Sequence, residues 1–266
     1  MSPTRGTGLG LALGLALVLG GCASGGGHSS VPAAGPDQLR VAQLRYDRRE
    51  FSTAVDLLKG YLQYQSGAGD LDQAHFLLGM CYVQQKDWPM AATEFNEVTT
   101  EFGDSPHAAD AHYWLALSYW KQSHDAPYDQ DMTRRAIDQV DRFLALYPGH
   151  PKAAEAQGIK QQGRNRLAEK ALRNGRLYLK LKEFAPARYY FQEVQKDFAD
   201  TPWLEQARVG EAEALLGLGH KDEARQILGG EGATWNDGDA KKRAAALLKR
   251  IGAAVPQPQQ AEGAAG

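Results

Sequence analysis

The chain of 266 residues is poor in cysteine, in net charge and in long apolar runs, and each shortage removes a class of protein. Two cysteines, Cys22 and Cys81, cannot build a disulfide framework, and Cys22 closes a segment that reads as an export signal. Cys81 stands among Leu77, Leu78, Gly79, Met80 and Tyr82, where a thiol packs as a small apolar group. A formal net charge of -2 lacks the general attraction to phosphate backbones that nucleic-acid binding requires. No zincin helix, phosphate loop or nucleophile elbow occurs, so the sequence predicts no enzyme, no cofactor and no metal. Asp125, Asp129 and Asp131 are close together but lack the glycine and terminal glutamate of a calcium loop.

What the chain does have begins at its N-terminus. Arg5 precedes an apolar stretch, Leu9 to Leu19, far shorter than the ~20 residues that a bilayer-spanning helix needs. It ends Leu19-Gly20-Gly21-Cys22, which resembles the bacterial lipobox, so residues 1–21 are expected to be a signal peptide and Cys22 the acylated residue. Ala23, where inner-membrane retention would usually show Asp, implies by the same resemblance the inner leaflet of the outer membrane. Residues 22–36 then form an acylated start and a linker rich in Gly, Ser, Ala and Pro.

Beyond the linker the sequence repeats. Ala74, His75, Phe76, Leu78, Gly79 and Tyr82 recur as Ala111, His112, Tyr113, Leu115, Ala116 and Tyr119, an offset of 37 residues. A second set, Ala91, Phe95, Val98, Phe102 and Pro106, recurs as Ala136, Val140, Phe143, Tyr147 and Pro151, then as Ala187, Phe191, Val194, Phe198 and Pro202. Steps of three and four place each set on one helical stripe, and each closing proline marks a new helix. Weaker copies at Ala54, Leu58 and Tyr61 and at Ala224 and Leu228 complete five hairpins. The five alanines sit where a larger side chain would hold two helices apart. This order resembles the tetratricopeptide repeat, which implies an all-α, right-handed solenoid over 37–252, with a capping helix from Ala240 to Ile251 behind Asp237 or Asp239, and a disordered tail at 253–266.

Two intervals break the period. Ala91 to Ala136 spans 45 residues, with its excess at Ser123 to Asp131, and Ala136 to Ala187 spans 51, which predicts one long helix from about Pro151 to Lys182. Its expected stripe is Ile159, Gly163, Leu167, Ala171, Tyr178 and Leu181. It also carries Lys160, Arg164, Arg166, Lys170, Arg173, Arg176, Lys180 and Lys182.

A lipobox, a linker and five such repeats, with Tyr128-Asp129-Gln130-Asp131, Thr133-Arg134-Arg135-Ala136, Leu146-Tyr147-Pro148, Arg166-Leu167-Ala168-Glu169 and Asp200-Thr201-Pro202, resemble the BamD family of outer-membrane β-barrel assembly lipoproteins over roughly 37–230. Phe102-Gly103 and Phe198-Ala199 depart from that family's more frequent Tyr-Pro. The resemblance implies a non-catalytic scaffold that binds BamA-type periplasmic domains, other Bam lipoproteins and unfolded outer membrane proteins. Tyr46, Phe76, Tyr113, Leu117 and Trp120 are the expected client groove, suited to an extended segment ending in an aromatic residue. Arg166, Arg173 and Arg176 are the expected partner-docking residues. The competing reading is a repeat lipoprotein of pilus assembly or cell-envelope coordination, a class without the inserted turn and the long helix.

Overall fold

Stripes with a step of three and four have one way to bury themselves, which is to coil as helices and face one another. A computed structural model of the chain describes residues 37–64, 69–229 and 235–252. Among these described residues there are eleven α-helices and no strand. In chain order they are α1 (Asp37–Asp47), α2 (Phe51–Tyr64), α3 (Leu71–Gln85), α4 (Trp88–Glu101), α5 (Ala108–Gln122), α6 (Asp131–Leu146), α7 (Ala153–Lys180), α8 (Phe184–Asp197), α9 (Leu204–Leu218), α10 (Lys221–Gly229) and α11 (Gly238–Arg250). Each of α1 to α10 packs on its neighbours in sequence, which gives five hairpins, and α11 covers α9 and α10. The expected signal peptide, Cys22, the linker and the tail lie outside the described residues.

The hairpins close where the alanines stand. Ala54, Ala91, Ala136, Ala187 and Ala224 are all fully buried, one on the second helix of each pair. Beside them Phe95, Phe143 and Phe191 are equally buried, and glycine on the facing helix makes room for two of the rings. A methyl group on Gly79 would stand 2.7 Å from the Phe95 ring, and Phe191 is gripped twice, by Gly175 at 2.7 Å and by Gly210 at 2.5 Å. A side chain of that size contributes about 1.5–3 kcal/mol when removed from water, so the rings anchor the stack.

The turns inside the hairpins repeat with the same period. Arg49, Lys86, Lys182 and Gly219 follow the first helix of their pairs and have φ of 63°, 60°, 60° and 87°. In each, the next residue's N–H reaches back five residues: Glu50 to Arg45, Asp87 to Tyr82, Glu183 to Tyr178 and His220 to Leu215, each at 2.9 Å. This is the Schellman closure, which satisfies the carbonyls that a helix end leaves over. Only the fourth of these turns has the glycine that the left-handed conformation favours.

The third hairpin differs. α5 ends at Gln122 with Ser123 in an extended conformation, and residues 123–130 intervene before α6. At the far end, Asp237 accepts from the Ala240 N–H at 2.6 Å and starts α11 at Gly238, two residues earlier than the apolar pattern indicates.

Candidate functional site

The two interruptions of the period meet in space. α7 runs for 28 residues, long enough to touch α5, α6, α8 and α9, and buries Ile159, Gly163, Ala168, Ala171 and Leu172. Leu181, expected on that stripe, is instead 59% exposed because it lies beyond the last helical turn. The inserted turn is organised by Gln130, whose side-chain amide is buried. Its Nε2 donates to the carbonyls of His124, Asp125 and Tyr128 at 2.8–3.2 Å, while its Oε1 accepts from the Thr133 hydroxyl at 2.7 Å. α7 then holds the turn from below: Lys170 donates to the Tyr128 carbonyl at 2.8 Å, and Arg166 donates to Ser123 Oγ at 2.6 Å.

Between them lies a cleft of about 580 Å³, walled by Trp120, the turn at Pro127 and Tyr128, α7 and Trp203. The Arg166 guanidinium lies over the Trp120 ring, 4.2 Å from its centre, a cation–π contact that fixes both side chains. Trp203 is set by its indole N–H, which donates to the Asn165 carbonyl at 3.0 Å. The cleft continues past Arg173 and Trp203 into a second of about 410 Å³, reaching Leu177 and Lys180, and past Arg176 into a third of about 320 Å³ against Lys242 and Arg243 of α11. The result is one furrow along α7, with aromatic side chains at one end and cations along its length.

Its electrostatics follow from crowding. Burial, with Arg243 and Arg173 nearby, pulls the Arg176 pKa below the ordinary arginine value. Arginine stays charged under such shifts, so the cation remains and gains from an anion placed beside it. Arg176 donates to Gln206 Oε1, a neutral acceptor, whereas Arg173 is paired with Glu169 at 2.7 Å. The basic run on α7 therefore divides by role. Lys160 pairs with Asp141 of α6, and Arg164 forks onto Asp200, whose carboxyl it holds down at about 2. Arg166 and Lys170 hold the inserted turn, while Arg173, Arg176 and Lys180 line the furrow.

All three residues expected to dock a partner, Arg166, Arg173 and Arg176, thus stand along one furrow. Of the five residues of the expected client groove, Tyr46, Phe76, Leu117 and Trp120 are half-buried, and Tyr113 alone is buried, which corrects the reading from sequence at that position. Tyr113 is only 4% exposed; its hydroxyl donates to Glu155 Oε2 at 2.7 Å and the Lys152 ammonium lies 4.6 Å from its ring centre. The start of α7 covers it, and burial is the first cause that raises its pKa. Phe76 is stacked on His107 and packed on Phe95, and Tyr46 lies edge-on to Phe51. Leu117 packs into the cluster around Phe143. Of the five, Trp120 lines the furrow, so a single cleft takes residues from both expected sites.

Gln130, Ser123 and Trp203 complete the site and were not singled out as functional. Gln130 stands in the stretch Tyr128-Asp129-Gln130-Asp131, but nothing in its type tells a loop-organising amide from a solvated one. The periodic histidines join helices: His75 Nδ1 lies 2.7 Å from Glu94 Oε2, and His112 Nδ1 lies 2.6 Å from Gln139 Nε2. Burial, then Arg142, lowers the His112 pKa and favours the neutral ring that accepts from Gln139. Cys81 is fully buried and its thiol is pushed up to about 12 by desolvation, which makes it inert. Asp129 accepts from the Asp131 N–H at 2.9 Å and opens α6; among the described residues no group of three His, Cys, Asp or Glu is placed to hold a metal.

Among the described residues no helix is long and apolar enough to cross a membrane. The chain is similar to the outer membrane protein assembly factor BamD of Rickettsia prowazekii, 25% identical over 213 residues, covering 80% of this chain and 84% of that protein. It is similar also to the factor of the same name in Caulobacter vibrioides, 24% identical over 182 residues, 68% of this chain and 60% of that protein. A thermophilic TPR protein of Thermus thermophilus matches 80% of this chain and 98% of its own at 17% identity and a TM-score of 0.35; the hairpin architecture stands on the helices and turns described above. Residues 40–228 match the family described as YfiO, outer membrane lipoprotein, and with that stretch spanning most of the helical array, the chain belongs to this family.

Proposed function

We propose that this chain is an outer membrane protein assembly factor, a lipoprotein held by an acylated Cys22 at the inner leaflet of the outer membrane, whose α7 furrow docks a protein partner. The carrying observation is the furrow itself, where Arg173 and Arg176 line a groove entered between Trp120 and Trp203. Membership of the outer membrane lipoprotein family and the name shared by the two relatives supply the setting. Physically, such a surface fits a segment that offers an aromatic or apolar side chain to the tryptophans and a carboxylate to Arg176. The partner in this reading is the periplasmic part of a BamA-like protein, with other Bam lipoproteins alongside and unfolded outer membrane proteins as clients. The scaffold works by holding proteins and carries out no reaction.

Charge reversal tests it. Arg173→Glu with Arg176→Glu should remove the BamA-like protein from a purification out of detergent-solubilised envelopes, with the helical content unchanged. Recovery equal to that of the unaltered chain would sink the assignment of the furrow. Recovery of a pilus secretin in place of barrel-assembly subunits would sink the assembly reading as a whole.

A further inference from the structure

The last helix lies beyond residues 40–228 and has a composition of its own. α11 carries Lys241, Lys242, Arg243, Lys249 and Arg250 against a single carboxylate, Asp239, on a chain whose formal net charge is -2. The helical period sorts these residues into two faces. Ala240, Ala244, Leu247 and Leu248 are buried against α9 and α10; Lys242 and Lys249 fall opposite them, and Lys241, Arg243 and Arg250 lie on the two flanks. Arg243 pairs with Glu213 at 2.8 Å; Lys241, Lys242, Lys249 and Arg250 are exposed and make no ion pair among the described residues. Arg176 of α7 adjoins the helix across the recess of about 320 Å³, which it lines with Lys242, Arg243 and the carboxylate of Asp239.

We propose that the outer face of α11 binds the anionic headgroups of a lipid bilayer. The distribution of the charge favours this occupant. Lys241, Lys249 and Arg250 stand outside the recesses of the furrow, on the convex side of a helix, where no fork closes on a single carboxylate. A spread of cations on a convex face suits a spread of phosphates. The apolar side of α11 is already used in packing, so the contact is electrostatic and the helix does not insert. This proposal rests on the lipoprotein reading in one respect: a tether at Cys22 keeps the chain beside the bilayer, which raises the effective concentration of a weak second contact.

The test uses the mature chain from residue 22 with Cys22→Ala, so that no acyl group carries it to a membrane. It should sediment with vesicles containing phosphatidylglycerol at low salt and leave them near 1 M salt, where the screening length falls to about 3 Å. The quadruple change Lys241→Gln, Lys242→Gln, Lys249→Gln and Arg250→Gln should weaken partitioning at least about a hundredfold. Its melting temperature serves as the check that α11 still packs. Failure to bind anionic vesicles, equal binding to phosphatidylcholine vesicles, or undiminished binding by a folded quadruple variant would overturn the proposal. Crosslinks from α11 to an acidic envelope protein without vesicle binding would do the same and assign the face to a protein. Mass spectrometry of the native chain at Cys22 reads the anchor separately.

Discussion

The hairpins α3–α4 and α7–α8 are closed by the same parts and left in different states. Each has a buried alanine, Ala91 or Ala187, a phenylalanine seated on glycine, and a lysine in the left-handed conformation at the turn. In the first, the aromatic side chains facing across the pair are consumed locally, Phe76 by His107 and Phe95. In the second, the additional turns of α7 outrun the helices beside it and leave Arg173, Arg176, Leu177 and Lys180 along an open furrow. The repeat builds the scaffold, and the departures from it build the surface. A regular stack presents a surface through its curvature alone, and in this chain the furrow opens where the period is broken.

The largest expected effect tests the shared part. Phe191→Ala should lower stability by about 3–5 kcal/mol in urea unfolding, because a cavity opens between Gly175 and Gly210 that backbone cannot fill. Phe95→Ala should fall in the same range. A loss below about 1 kcal/mol at either position would break the equivalence of the two hairpins. An intermediate effect tests the departure. Gln130→Ala strands the buried Thr133 hydroxyl and removes the donor to three carbonyls, costing about 1–3 kcal/mol. Hydrogen exchange should accelerate at 124–131 and around Arg166 while α3–α4 keeps its protection; uniform acceleration would show that the inserted turn is part of the common scaffold instead. The smallest effect sharpens the comparison. Lys86→Gly and Lys182→Gly should each stabilise by about 0.5–1 kcal/mol, since both lysines have φ of 60°. Unequal shifts in melting temperature would reveal a role for one lysine side chain beyond its turn.

Much of this architecture was legible because it follows from local rules. The recurring set of Ala91, Ala136 and Ala187 with its internal steps of three and four located the buried alanines and phenylalanines, and the long interval before Ala187 located α7. The turns could also have been read. Arg49-Glu50-Phe51, Lys86-Asp87-Trp88 and Lys182-Glu183-Phe184 place a cation, an acid and an aromatic residue in one order at equivalent positions, and the first two are 37 residues apart. The site was less legible. Tyr113 was expected to face a partner, but its neighbour Glu155 stands 42 residues further on, and a contact at that separation leaves no mark in the pattern of one helix. Leu181 shows the converse, an apolar residue in register with a stripe that ends one residue too soon.

What the sequence determined by itself is therefore the helical class, the five pairs and the two interruptions, since each depends on spacing along one chain segment. The tertiary structure alone decided that the interruptions adjoin, that Trp120 and Arg166 share a cleft, and that the basic run of α7 splits into clasps and furrow. The physical reason is range: helical periodicity is set by neighbours three and four residues apart, whereas exposure and charge pairing depend on which distant helix arrives to cover a face.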